Sequence, residues 1–191
     1  MRSLSVPIDT EWIVLTGPPS SGKTTLIRLL EERGFKTQAE VARAYIEEQL
    51  ALGKRLHEVF ADPASLQQII LMRGLEVERS LPHDIPHILD RSIVDGIAYC
   101  KLYGVAPDDI LAAARERTYR LVFHCDPLPF QQDHVRPEDA KTALRIHELI
   151  LEAYAETGYA GVRLPPVPVH ERLAVLLGHL NLLDERGDPQ K

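Results

Sequence analysis

The chain has 191 residues, 45% hydrophobic and 26% charged, which suits one globular domain with a substantial core. Its 28 acidic and 22 basic residues leave a net charge of −6, and the sequence has no long basic stripe to displace counterions, which argues against a nucleic-acid binder. No apolar run reaches the ~18 residues of a membrane span, Met1–Thr10 lacks a signal-peptide core, and Cys100 and Cys125 lack metal-type spacing. A reducing cytoplasm, with both thiols free and buried, is therefore expected.

Trp12–Thr16 is a short apolar run that reads as a buried strand. It leads into Gly17-Pro18-Pro19-Ser20-Ser21-Gly22-Lys23-Thr24, a complete G-x-x-x-x-G-K-[ST] phosphate-binding loop. The glycines allow backbone N–H groups to turn inward around phosphate oxygens. Lys23 would carry charge to the β- and γ-phosphates, and the Thr24 hydroxyl would ligate Mg²⁺. The nucleotide site is thus expected to span Gly17 through Thr25. Leu26, Ile27, Leu29 and Leu30 mark one side of the helix that follows, whose positive dipole end faces the phosphates.

Gly34–Thr37 reads as a second strand and Ala39–Leu52 as a helix closed by Gly53-Lys54. Glu40 and Arg43, three apart, share a helix face and either line an acceptor site or form a surface ion pair. Asp62-Pro63 predicts an N-cap and first-turn proline for a helix running to about Ser80. Leu66, Ile69, Ile70, Met72 and Leu75 are its expected apolar face, and Glu76, Glu78 and Arg79 its wet side. Gly74 costs this helix about 1 kcal/mol relative to Ala, which close approach of a ligand or, preferably, of another helix would explain.

Pro86–Asp90 is the third strand. Its terminal Asp90 is placed to touch a Mg²⁺ shell or take a proton from an incoming hydroxyl, or else only favours the next helix electrostatically. Arg91 is placed to hold a substrate anion. Ser92–Tyr103 reads as a helix with Ser92-x-x-Asp95 as an acidic capping box, and Pro107 opens another through about Glu116. Tyr119–Cys125 is a fourth strand, followed by Asp126, which either initiates a turn or stands in the second shell of a metal. The loop over about 127–139 suits a mobile lid, with Arg136, and secondarily Arg145, neutralising the transferred group, or else His134–Asp139 is an ordinary surface stretch that starts a solvated helix. A helix from about Glu138 to Thr157 follows, with Lys141 and His147 facing solvent, then strand Gly161–Leu164 and helix Val169–Leu183. The eight histidines show no H-x-x-x-H pattern, so nucleotide-bound Mg²⁺ is the one metal expected.

Short apolar strands alternating with helices predict an α/β fold, a parallel sheet covered on both faces, in one domain over 1–191. Ligands bind at the carboxyl ends of such strands, which puts the phosphate loop, Asp90-Arg91 and Asp126 on one rim.

The order Gly17-x4-Gly22-Lys23-Thr24, Glu40-x-x-Arg43 and Leu89-Asp90-Arg91-x-x-x-Asp95-Gly96-x-x-Tyr99 resembles the small AAA-like P-loop ATPase/kinase family that includes ribosylnicotinamide kinase domains. The stretch Arg136 to His147, Tyr154-x-x-x-Gly158-Tyr159, and Pro165 before Glu171-Arg172 resemble its C-terminal half. The resemblance implies a three-layer P-loop NTPase fold with five parallel strands in 2-3-1-4-5 order. It also implies an acceptor-holding helical arm over about 39–80, and adenine contacts from the loop before the last helix. Asp90 corresponds to the family's acid after strand three and Arg136 to its lid arginine. The activity implied is Mg-ATP-dependent phosphoryl transfer to a small metabolite, nucleoside- or nucleotide-like, with Lys23, Asp90 and Arg136 catalytic, Thr24 and Asp90 at the metal, and Glu40, Arg43 and Arg91 at the acceptor. The alternative is a slow ATP- or GTP-hydrolysing switch acting through a protein partner, although the N-K-x-D guanine signature is missing. The expected partner is a small-molecule acceptor rather than nucleic acid or membrane, and no feature fixes the oligomeric state.

Overall fold

The computed structural model of the chain describes residues 7–131 and 137–184. Five parallel strands form the central sheet: β2 (Ile13–Thr16), β3 (Thr37–Gln38), β4 (Ile88–Asp90), β6 (Leu121–Cys125) and β7 (Val162–Leu164), side by side in the order β3-β4-β2-β6-β7. A second, two-stranded parallel pair joins β1 (Ile8–Asp9) to β5 (Arg117–Thr118). Strands this short carry no periodicity, so the pair had no sequence signal.

The helices are α1 (Lys23–Glu31), α2 (Val41–Ala51), α3 (Leu56–Val59), α4 (Pro63–Ser80), α5 (Asp95–Tyr103), α6 (Asp108–Ala114), α7 (Ala140–Glu156) and α8 (Val169–Asp184). Period-two alternation in β2 divides the core. Ile13 and Leu15 pack with Leu26, Ile27 and Leu30 of α1 and Leu173, Leu176 and Leu180 of α8. Trp12 and Val14 face the opposite side, against Leu71 and Leu75 of α4, Ile97 of α5 and Ile146 and Ile150 of α7. This is the parallel sheet covered on both faces that strand–helix alternation predicts. Among the described residues no helix is long and apolar enough to cross a membrane. Cys100 and Cys125 are both free and buried.

Three expectations are corrected. The second strand sits at Thr37–Gln38 rather than Gly34–Thr37, because Gly34 has φ +85° and closes the turn after α1. Helix α5 starts at Asp95 rather than Ser92: Arg91 takes a left-handed φ of +69°, and the Asp95 carboxylate accepts the Ser92 N–H at 3.1 Å. The inner face of α4 carries Leu66, Gln67, Leu71, Gly74, Leu75 and Glu78, while Ile69 and Met72 are exposed. Glu78, expected on the wet side, is buried because it meets Arg117 and Tyr119.

Candidate active site

Strand β2 delivers the phosphate loop at its carboxyl end, and β4 delivers Asp90 beside it, with Leu15 and Asp90 in register. The backbone continues the pairing one step further, Arg91 N–H donating to Leu15 C=O at 3.1 Å. The loop's conformation requires its glycines. Gly17 has φ +146°, and a Cβ there would lie 2.5 Å from the Cys125 carbonyl oxygen. Gly22 has φ +79°, and a Cβ there would meet Arg172 Nη1 at 3.1 Å. Ser20 also adopts a positive φ, and its hydroxyl donates to Gln131 C=O at 2.7 Å, tying the loop to the segment after β6. Pro18 and Pro19 are buried, Ser21 Oγ donates to Pro18 C=O at 2.8 Å, and Lys23 Nζ donates to Gly17 C=O and Pro18 C=O, both at 2.9 Å. Thr24 and Thr25, in the first turn of α1, are exposed. From behind, Arg172 of α8 donates through Nη1 to Ser21 C=O at 2.6 Å.

Asp90 and Arg91 are each 8% exposed. Arg91 is held between two carboxylates, Nε 3.0 Å from Glu40 Oε1 and Nη1 2.8 Å from Asp95 Oδ1, and its guanidinium lies 5.5 Å from the centre of the Tyr99 ring. Burial alone would weaken its charge, but Tyr99, Glu40, Asp95 and Asp90 together hold its pKa well above the usual guanidinium value. Among the described residues its Nη2 has no hydrogen-bond partner.

Asp95 accepts four hydrogen bonds: Thr16 Oγ1 (2.5 Å) and Arg91 Nη1 (2.8 Å) at Oδ1, and Ser92 N (3.1 Å) and Tyr154 Oη (2.7 Å) at Oδ2. Two lone pairs on each oxygen are thereby used. The D-R-x-x-x-D spacing thus has a physical reason: the second acid, four residues on at the start of α5, fixes the arginine beside the first. Ser92 completes the set, 2.9 Å from Tyr154 Oη. Burial, then the Asp95 charge, raises the Tyr154 phenol well above its usual range, so it stays protonated as a donor.

Asp90 and Arg91 open onto a cleft between α2, α4 and α5. Val41, Ile46, Leu66, Ile70, Leu71 and Ile93 are among the apolar residues of its wall, with Gln67, Gly74 and Glu78 from the inner face of α4. Gly74 lets α4 approach the start of α5: a Cβ would stand 3.1 Å from Ile93 Cγ2. At the back, Glu78 accepts from Arg117 Nη1 at 3.0 Å and Tyr119 Oη at 2.9 Å, and burial pushes its carboxyl above the usual range.

The structure brings together the loop residues, Asp90, Arg91 and Glu40. Arg43 pairs instead with Glu47 at 3.3 Å and is not part of the cleft lining. Arg136 lies outside the described residues, as do residues 132–135 of the expected lid. Arg145 pairs with Glu148 on the exposed side of α7. His147, expected in solvent, is half-buried with Nε2 3.8 Å from Asp126 Oδ1, because Asp126 turns toward Arg163 and α7. Sequence reasoning missed Asp95 as a hub, Tyr154, Arg172, Gln67 and Glu138, the last buried and lining the cleft although its surroundings read as surface.

No curated protein matches the chain in sequence. Among solved structures it is similar to NadR in complex with NR (TM-score 0.68, 19% identity), covering 95% of this chain and 53% of that one, so it spans about half of the NadR chain. It is similar to a deoxyadenosine kinase from M. mycoides (TM-score 0.61, 12% identity, 90% of this chain and 99% of that). A thymidylate kinase from Ehrlichia chaffeensis also superposes (TM-score 0.59, 18% identity, 91% and 99%). At these identities the likeness establishes the fold, that of nucleoside- and nucleotide-kinase-like P-loop proteins. The family model described as AAA domain matches residues 12–172, from the strand before the phosphate loop to the arginine that clamps it. The chain belongs to that AAA-domain family.

Proposed function

We propose that the chain is a kinase that transfers the γ-phosphoryl group of ATP, with Mg²⁺, to a hydroxyl of a small nucleoside- or nucleotide-like metabolite. The observation that carries this reading is the cleft beside Asp90, on the strand next to the one that delivers the phosphate loop. A nucleotide-binding switch needs the loop; it has no need of a walled organic-sized cleft one strand away.

The residues fit the donor. The positive-φ turns at Gly17, Ser20 and Gly22 build a backbone cradle that a Cβ at either glycine would fill. Thr24 and Asp90 are hard oxygen donors suited to Mg²⁺, which when bound neutralises charge on the phosphates. Lys23 binds the phosphate oxygens. Asp90 accepts the proton of the acceptor hydroxyl as its oxygen bonds to phosphorus and the bond to the leaving ADP oxygen breaks, a role matched to a carboxylate at the cleft mouth. Arg91, immobilised by Glu40 and Asp95, orients the acceptor. Arg136 has the role of stabilising the transferred group, and Arg43 stands on α2 of the acceptor arm. The NadR and deoxyadenosine kinase folds support this assignment of roles. The reaction is proposed for the cytoplasm.

The test is ADP release from Mg-ATP with and without a panel of nucleosides, nucleotides and nicotinamide riboside, using Lys23→Ala as the blank. Stimulation by one acceptor class, lost in the variant, is expected. A slow rate that no compound raises would point to the switch.

A further inference from the structure

Among the described residues two that carry a Cβ hold a left-handed φ, Arg91 at +69° and Ser20 at +59°. An L residue keeps that conformation against a steric cost that glycine escapes, so its surroundings must hold it there. For Arg91 the holders are Glu40 and Asp95, whose carboxylates stand 3.0 and 2.8 Å from its guanidinium. For Ser20 the holder is the backbone of Gln131. Ser20 Oγ donates to Gln131 C=O at 2.7 Å and accepts from Gln131 N–H at 3.2 Å, so one residue 111 positions away engages the hydroxyl in both directions. The same segment meets the loop a second time: a Cβ on Gly22 would stand 3.0 Å from Leu128 Cδ1. The turn at Ser20 lies between those at Gly17 and Gly22, and the three together curve the loop around the space for phosphate. The two glycines adopt their turns freely; the serine between them relies on residues 128–131.

Resting on the reading of this loop as the ATP site, we propose that Ser20 is a positioning residue for the nucleotide phosphates: its hydrogen bonds to the Gln131 backbone pin the left-handed turn of the cradle. Linkage then works both ways. A tie that favours the turn phosphate needs is itself favoured by phosphate, so bound nucleotide slows the opening of the segment after β6. Glycine at this position keeps the turn and loses the tie. Alanine loses the tie and retains the steric cost.

The experiment measures binding of Mg-ADP and Mg-ATP to the full chain by calorimetry, and exchange of the Gln131 amide hydrogen by NMR with and without Mg-ADP. Ser20→Ala is expected to weaken binding about tenfold and Ser20→Gly by about threefold or less, with melting curves checking that both are folded. In the parent, Mg-ADP should slow Gln131 exchange by about tenfold; in Ser20→Gly saturated with Mg-ADP that slowing should vanish. Equal losses in the alanine and glycine variants would mean that the hydroxyl meets the nucleotide itself, and would overturn the positioning role. An unweakened Ser20→Ala, or a Gln131 amide whose exchange ignores the nucleotide in the parent, overturns it too. In each of these cases the ATP reading stands. A parent chain that binds neither nucleotide overturns both.

Discussion

The Thr16 hydroxyl donates a 2.5 Å hydrogen bond to Asp95 Oδ1 across 79 residues of sequence, joining the end of the strand that launches the phosphate loop to the first residue of α5. The same oxygen holds Arg91. One carboxylate oxygen thus links the strand that launches the loop to the buried arginine.

Asp95→Ala leaves the buried Arg91 with Glu40 as its remaining short carboxylate contact and strips partners from Thr16 and Tyr154. Breaking a buried charge pair costs about 3–5 kcal/mol, whereas Tyr154→Phe removes one hydrogen bond and costs about 1–2 kcal/mol. Urea denaturation should give the two losses in that order. Equal, small losses would mean that the network contributes little to stability.

Asp90→Asn keeps the size of the side chain and removes its capacity to take a proton. ATP affinity, measured by calorimetry, should change little, while transfer falls by orders of magnitude. Unchanged transfer would remove Asp90 from the mechanism.

Arg172 acts at a distance from any chemistry, through its hydrogen bond to the Ser21 carbonyl. Arg172→Met should loosen the loop and raise the KM for ATP about tenfold, with a smaller change in kcat. If kcat falls and KM holds, Arg172 does more than position the loop.

Burial holds the His124 and His147 imidazoles below the ordinary value of 6.5. A depressed folded pKa means that the unfolded chain binds the protons first. The contribution of both histidines to stability is therefore complete above pH 6.5 and lost as pH falls through their folded values. The urea midpoint should drop between about pH 7.5 and 5.5, and the slope should flatten in a His124→Gln/His147→Gln double variant. A slope as steep as the parent's would assign the effect to other groups.

The residues whose role is local were legible in the sequence. The phosphate loop announces itself because each of its residue types answers a need within eight positions, and Asp90 because it ends an apolar run on the expected rim. The fold class followed from alternation of apolar strands and helices, and Glu40, for which spacing left a site residue or a surface ion pair open, lines the cleft. What stayed hidden was long-range. Tyr154 reaches Asp95 across 59 residues and Arg172 reaches Ser21 across 151, and no local pattern encodes such pairs. The face of α4 was misassigned because apolar spacing assumes a helix packed against a solid core. This helix lines a cleft and a buried ion pair, so Gln67, Gly74 and Glu78 turn inward and Ile69 and Met72 outward.

The clamp from Arg172 to Ser21 also orders events during synthesis. The strand, loop and first helix of the nucleotide site are made early, yet the carbonyl that shapes the loop waits for an arginine 151 residues later, on α8. At ribosomal speeds of roughly 5–20 residues per second, that is on the order of ten seconds or more of elongation before Arg172 is even joined to the chain. A growing chain therefore carries the glycines and lysine of the motif long before it carries the arginine that hydrogen-bonds to their loop.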